Sequence, residues 1–416
     1  MNKKQKILVI VDSIDIDDSS GSKANIALIH NLQTIGYIIR VLHYTRKEIH
    51  LKDITCYSIP EKKWNLMYLL SRTQRLFTRY TKLNLNSFFE GLFGFSFTFF
   101  NDVNSIKKAI SKEINFQPNL VLTLSKGASF RPHYAVLKLP SLHDKWMAYV
   151  HDPYPFHFYP RPYNWVESGY RKKERFFREV SKKAAYSAFP SLLLKDWMGS
   201  YFPNFLKTGI VIPHQQSQIT IKGNKLPSYF ESSKFSLLHA GNLMKQRSPK
   251  GLIEGFKLFL KNNQHAKKNA RLYLIGNASY HKVLLQQYEQ EISELFVKSE
   301  NENFESVYLM QLATSVNVIL ESKSEISPFL PGKFPHCVSA NKPILLLAPY
   351  YSETRRLLGG NYPYISEVDD VTEIAVLIEK LYKLWLENSN NLKLNRPDLE
   401  YYISEKYLEE VIVNLR

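Results

Sequence analysis

The sequence predicts an α/β protein of two doubly wound domains, each a parallel sheet with helices on both faces. Three observations predict it. The 416 residues exceed one typical domain, and a soft prior of roughly 150 residues per domain gives two or three. The chain opens as strand, loop, helix, strand. After a polar stretch at 211–234, placed as the linker, the same alternation begins again, which implies a second parallel sheet.

The first strand is ILVIV, residues 7–11. An acidic, serine-rich loop, DSIDIDDSSGS, follows, and then Ala24, Ala27, Leu28, Leu32 and Ile35 recur at helical spacing until Gly36 stops the helix. IIRVL continues as a strand and completes a βαβ unit. NLVLTLS (119–125) and WMAYVHD (146–152) read as buried parallel strands that end in polar residues, where open α/β sheets keep their sites. The second half runs FSLLHAG strand, PKGLIEGFKLFL helix, RLYLIG strand, helix, VNVILE strand, a proline-rich loop and helix, and PILLLAP strand. Expected boundaries are 1–210 for the first domain, 211–395 for the second, and 396–416 for a terminal helix returning to the first.

Composition narrows the function. A hydrophobic fraction of 44% supplies ample core, and 22% charged residues is ordinary for a folded chain. Two cysteines, Cys56 and Cys337, are too few for a disulfide framework or a cysteine metal site, which fits a reducing compartment, the cytoplasm. The basic start lacks a signal-peptide cleavage pattern. No window reaches the ~18 consecutive apolar residues of a membrane span, although SFFEGLFGFSFTFF (87–100) reads as a core hairpin or a membrane-touching segment. The net charge of +17 favours anionic partners: phosphate-bearing substrates, acidic lipid or nucleic acid. No reading helix or aromatic RNA motif accompanies it, so nucleic acid is not expected.

Several motifs carry a resemblance. In LLHAGNLMKQRSPKGLIEGF, Gly241 begins a turn and Arg247 lies six residues on; in ISPFLPGKFPHCVSANKPILLL, Pro331, Gly332 and Lys333 precede an apolar helix and then Lys342-Pro343. AYVHDPYP supplies a strand-end His151-Asp152, GIVIPHQ a turn with His214, and SSGSKANIALIHNL an N-terminal loop and helix with Gly21. Together these resemble the large retaining family of GT-B glycosyltransferases, family 4-like, that assembles bacterial polysaccharides and lipopolysaccharides. Arg247 stands at that family's lysine position and Asn242 where it commonly has arginine. His336 and Pro328 occupy its two glutamate positions, with Glu325 three residues before Pro328.

The resemblance implies two Rossmann-like domains facing a cleft, the first binding acceptor and the second nucleotide-sugar. It implies transfer from a UDP- or GDP-sugar to a cell-surface glycan, free or lipid-linked, with retention and no metal or other cofactor. Gly21, Gly241, Asn242, Arg247, Lys333 and His336 would bind the donor, His336 at the ribose. His151, Arg247 and Lys333 would serve catalysis, with Asp152 and Glu325 as further donor or acceptor contacts. Alternatives are a catalytically silent relative that binds glycan or a partner, and a sugar-nucleotide epimerase.

The chemistry suits the residue types. Pro335 fits the first turn of a helix, whose free amides with Lys333 before them attract a diphosphate. Arginine offers phosphate a planar fork and lysine a point charge. His151 and Asp152 end a strand at the sheet's site-bearing edge, where Asp152-Pro153 also suits a plain turn. Asp15 and Asp17 form an Asp-x-Asp pair of the kind that binds metal in another transferase fold, but in a first βα loop this is not expected to hold one. Arg72, Arg75, Arg79 and Lys82 recur at helical spacing among apolar residues, and RKKERFFREVSKK (171–183) adds seven basic residues. Both runs are candidate faces for an anionic membrane surface.

Overall fold

A computed structural model describes residues 5–217, 225–300 and 302–415. The chain divides into two units: Met1–Tyr159 with Tyr163–Ser217 and Ser404–Arg416, and Pro160–Pro162 with Gln218–Ile403. Of the stretch read as a linker, residues 218–224 lie outside the described residues.

The first unit begins β1 (Lys6–Val11), α1 (Ser20–Thr34), β2 (Ile38–His43) and β3 (Thr55–Ser58). Three helices follow, α2 (Leu66–Thr81), α3 (Asn86–Phe93) and α4 (Phe97–Lys112), before β4 (Leu120–Leu124), α5 (Arg131–Leu137) and β5 (Trp146–Tyr149). The unit continues with α6 (Tyr170–Lys183), β6 (Tyr186–Phe189), α7 (Leu192–Tyr201), α8 (Asn204–Thr208) and β7 (Gly209–Val211). Its strands form one parallel sheet in the order β3-β2-β1-β4-β5-β6-β7. Because side chains alternate along a strand, β1 serves two cores. Leu8 and Ile10 pack with α4, α5 and α6, while Ile7, Val9 and Val11 pack with Leu28, Ile29 and Leu32 of α1. Each such fully buried aliphatic contributes about 1.5–3 kcal/mol.

The second unit runs β8 (Phe235–Ala240), α9 (Lys250–Asn262), α10 (Ala266–Asn269), β9 (Ala270–Ile275), α11 (Lys282–Glu291), β10 (Leu295–Lys298), α12 (Phe304–Ala313) and β11 (Val316–Leu320). After β12 (Ile326–Ser327) come α13 (Phe334–Ser339), β13 (Ile344–Leu347), β14 (Tyr351–Ser352), α14 (Glu353–Leu358), β15 (Ile365–Ser366), α15 (Val371–Asn388) and α16 (Pro397–Tyr402). The main sheet is parallel in the order β10-β9-β8-β11-β13-β15, so strand order reverses between β8 and β11, where Val316 pairs with Leu237. The corresponding reversal in the first sheet lies between β1 and β4.

Several expectations are corrected. Residues 87–100 form no hairpin: Gly94, at φ +87°, caps α3, and Ser96, accepting from Phe99 N, starts α4. Gly21 lies inside the first turn of α1, which Ser19 caps, and not in a glycine-rich loop. The terminal helix is two helices, α16 in the second unit and α17 (Glu405–Val413), whose Leu408 and Ile412 join the core beside α1. The basic run on α6 divides: Arg171, Lys172, Arg175, Lys182 and Lys183 are exposed, whereas Lys173 is not part of that face. Phe176, Phe177 and Val180 are buried, and Lys173, buried too, pairs with Glu167 at 2.8 Å and Glu90 at 3.3 Å.

That clamp brings α6 hard against α3. Gly169, at φ +71°, has no room for a side chain: a Cβ would stand 2.0 Å from Glu90 O and 2.8 Å from Gly94 Cα. Gly169→Ala should therefore cost about 2 kcal/mol or more from the left-handed backbone and the clash together. At roughly 2–4 °C per kcal/mol for a unit of this size, a melting temperature lowered by about 4–8 °C is expected in calorimetry, and an unchanged one would refute the close approach.

Candidate functional site

In the second unit the carboxyl ends of β8 and β11 meet at the reversal of strand order, where open α/β sheets bind ligands. The chain leaves β8 through Gly241, Asn242 and Leu243 and is fastened to the end of β9. Gly241 N donates to Ile275 O at 2.8 Å, Leu243 N to Asn277 O at 2.8 Å, and Asn242 Oδ1 accepts from Asn277 N at 3.3 Å. Gly276, at φ +131°, closes this contact, since a Cβ there would lie 2.8 Å from the Gly241 carbonyl. Asn242 O in turn accepts from Arg247 Nη1 at 3.2 Å, so the residue in the arginine position shapes the loop and aims Arg247.

Lys333 arrives from the other side. It precedes α13, a helix of six residues in which Pro335 takes the second position, within the first turn as expected. The lysine Nζ lies against the buried His239 ring, 3.2 Å from Nδ1 and 3.4 Å from Nε2. His239 Nδ1 also faces Val318 O at 3.2 Å, which assigns the proton to Nδ1 and leaves Nε2 to accept from Lys333. Gly241 makes the space: a Cβ on it would come within 2.9 Å of the ammonium. Burial, then the neighbouring Arg247 charge, push Lys333 down to about 7 from the usual 10.5. Burial and the same two cations hold His239 neutral. Gly241, Asn242, Arg247 and Lys333 are thus one cluster.

His336 turns elsewhere. It is buried with its ring against Phe304 and Tyr308 of α12, at 5.0 and 5.9 Å between centroids. Glu325 is exposed. The buried carboxylate of this region is Glu321, directly after β11. Ser352 Oγ donates to it at 3.0 Å, burial raises its pKa, and Arg247 pulls the other way.

In the first unit His151 follows β5. Asn25 Nδ2 donates to Ser125 O at 3.2 Å, which turns Asn25 Oδ1 toward His151 Nε2 at 2.9 Å. The imidazole therefore carries its proton on Nε2, and its buried Nδ1 has no hydrogen-bond partner among the described residues. Burial, with the His214 ring stacked 6.0 Å away, drives His151 well below the usual histidine range and keeps it neutral. Asp152 is pushed up to about 6 by burial, opposed by a hydrogen bond from Tyr159. A Cβ on Gly21 would meet only ordinary contacts, so its backbone needs no glycine. Asp15 pairs with Lys47 at 2.6 Å, and no group of three metal-binding side chains occurs among the described residues.

No protein-family model and no curated protein matches the sequence. Solved structures do. A glycosyltransferase from Rickettsia africae ESF-5 aligns over 99% of both chains with a TM-score of 0.57 at 13% identity. An α,α-trehalose-phosphate synthase (UDP-forming) from Burkholderia xenovorans, in complex with glucose-6-phosphate, covers 98% of this chain and 99% of its own at TM-score 0.64 and 8% identity. Anabaena Alr3699/HepE, in complex with UDP and glucose, covers 99% and 98% at TM-score 0.60 and 11% identity. The fold is GT-B.

Within this GT-B chain, sequence reasoning missed His239, Glu321 and Asn25. His239 had one available signal, a histidine next to last in the strand FSLLHA, two residues before the turn glycine. Lys333 gives the cluster a measurable titration. Its charged form prevails below about pH 7, so an anion that itself does not titrate, sulfate, should bind most tightly at pH 6 and weaken by about tenfold toward pH 8.5. Isothermal titration should also give a flat profile for Lys333→Met, and a flat wild-type profile would refute the assignment.

Proposed function

We propose that the protein is a glycosyltransferase that moves a sugar from a UDP- or GDP-activated donor to a cell-surface glycan such as capsule, O-antigen or exopolysaccharide. The single observation that carries it is the pair Lys333 and Arg247 at the reversal of strand order, shaped by Gly241 and backed by neutral His239. When the bond from sugar to diphosphate breaks, negative charge grows on the departing phosphate, and two preorganised cations stabilise that charge more than they stabilise bound donor. In the first unit, neutral His151 with its fixed tautomer is assigned to the transferred sugar and Asp152 to the acceptor hydroxyl. Retention, and a reaction without metal, belong to this reading through the sequence resemblance.

Arg247→Ala and Lys333→Ala are each expected to lower kcat by about a hundredfold or more, roughly 3 kcal/mol, with smaller changes in donor KM. Since both hold one diphosphate, the double variant should lose less than the sum. Turnover near normal in Lys333→Ala with saturating donor would reject the reading.

The same proposal places the enzyme on an anionic membrane, with a lipid-linked acceptor. Support comes from α2. Leu66, Leu69, Leu76 and Tyr80 fall on one stripe of the helix and are all exposed, Tyr80 at 83%; Arg72, Arg75 and Arg79 run along the stripe's edge. Trp64, 87% exposed, and Phe88 of α3 extend the apolar surface. No helix among the described residues is long and apolar enough to cross a membrane, so such a face would lie in the interface. Each basic residue there contributes ~1 kcal/mol. Vesicles containing phosphatidylglycerol should sediment the protein and release it as salt rises, and Leu76→Asp/Tyr80→Asp should abolish this. Equal binding to neutral vesicles, or none to either, would remove the membrane from the proposal.

A further inference from the structure

Between β5 and α6 the chain reads YPFHFYPRPYNWVESGY (154–170), a segment rich in aromatic rings that no part of the proposed donor chemistry uses. Trp165 is its centre. Phe156, Tyr159 and Tyr163 approach the indole at 5.6, 4.9 and 4.8 Å between centroids, tilted by 60°, 62° and 50°, so none of the three stacks in parallel on an indole face. A shallow depression of about 460 Å³, open to solvent, lies among Phe156, Asn164, Trp165 and Val166. Trp165 is half-buried, and beside it Asn164 is exposed and Val166 is 74% exposed, so solvent reaches the indole from this side.

The loop is fixed in place before any ligand arrives. Glu167 Oε2 accepts from Phe156 N at 3.2 Å, and its other oxygen pairs with Lys173 Nζ at 2.8 Å, which also reaches Glu90 of α3 at 3.3 Å. A ligand therefore meets a preorganised wall and loses less to ordering it. The wall also touches the strand-end carboxylate, because Tyr159, whose ring packs on Trp165, hydrogen-bonds Asp152. And through Glu90 it is tied to α3, next in the chain to the exposed apolar face of α2.

We infer that the depression framed by Phe156, Asn164, Trp165 and Val166 is the acceptor site, holding a pyranose with its C–H face on the Trp165 indole and its hydroxyl rim on the Asn164 amide. A pyranose has both surfaces. Its axial C–H bonds present an apolar face that gains dispersion contacts over an aromatic ring, and its hydroxyls match an amide that both donates and accepts. This inference rests on the glycosyltransferase reading and gives it an acceptor class, a sugar recognised by stacking.

The test separates the two. Saturation-transfer NMR on the full chain, without nucleotide, uses the methyl glycosides of glucose, galactose, mannose and N-acetylglucosamine as probes, and UDP and GDP affinities are measured in parallel. At least one glycoside should receive saturation, most strongly at its ring C–H protons. Trp165→Ala should weaken that binding by about tenfold or more, Asn164→Ala should weaken it less, and Trp165→Phe should retain it, all with unchanged nucleotide affinity. Glycoside signals absent in wild type, or equal in wild type and Trp165→Ala, overturn the acceptor site and leave the donor site standing. Failure of both nucleotides to bind, with glycoside binding intact, overturns the transferase reading instead.

Discussion

The burial of the Lys333 ammonium, with the Arg247 charge as its neighbour, is the constraint around which the second unit's site is arranged. Two cations meet at the ends of β8 and β11, and the ordinary lysine value of 10.5 falls to about 7 in consequence of burial and that neighbour. A folded-state value below the unfolded one means the unfolded chain binds more protons between pH 7 and 10.5. The penalty is thus complete below pH 7 and fades as pH rises through that window. Everything nearby accommodates it: a glycine with no side chain to obstruct the ammonium, a histidine kept neutral, and an asparagine carbonyl that aims the guanidinium. Such an arrangement costs stability in the free protein and is relieved by an anion.

The strand-end site of the first unit is built in the opposite way, on neutral groups. Asn25 fixes one tautomer of His151 from a position that the Ser125 carbonyl fixes in turn, so a helix, two strand ends and a ring act as one piece. Burial keeps the imidazole uncharged and leaves Asp152 titrating near neutrality, at about 6. Each unit thus holds one group that titrates near neutrality, Lys333 in the second and Asp152 in the first.

What the sequence made legible follows from what is local. Apolar runs such as ILVIV and PILLLAP announce buried parallel strands by themselves, and the spacings around Gly241 and Lys333 are fixed by the turns that contain them. Glu321, His239 and Asn25 were not legible because their roles depend on partners 31, 94 and 126 residues away, Ser352, Lys333 and His151. The helices of 87–100 were missed for a different reason. Aromatic residues suit strands as well as helices, and the choice was made by the Gly94 and Ser96 caps. His336, read at a ribose-binding position, was drawn into packing with Phe304 and Tyr308.

The return of α17 to the first unit has a consequence for synthesis. Leu408 and Ile412 complete the core face of α1, yet the whole second unit lies between them and the strands they cover. At roughly 5–20 residues per second, on the order of 10–40 s separate the emergence of β7 from that of α17. During that interval the nascent first unit exposes an apolar groove beside α1, open to aggregation or to a chaperone, and its closure must wait for α17 to leave the ribosome.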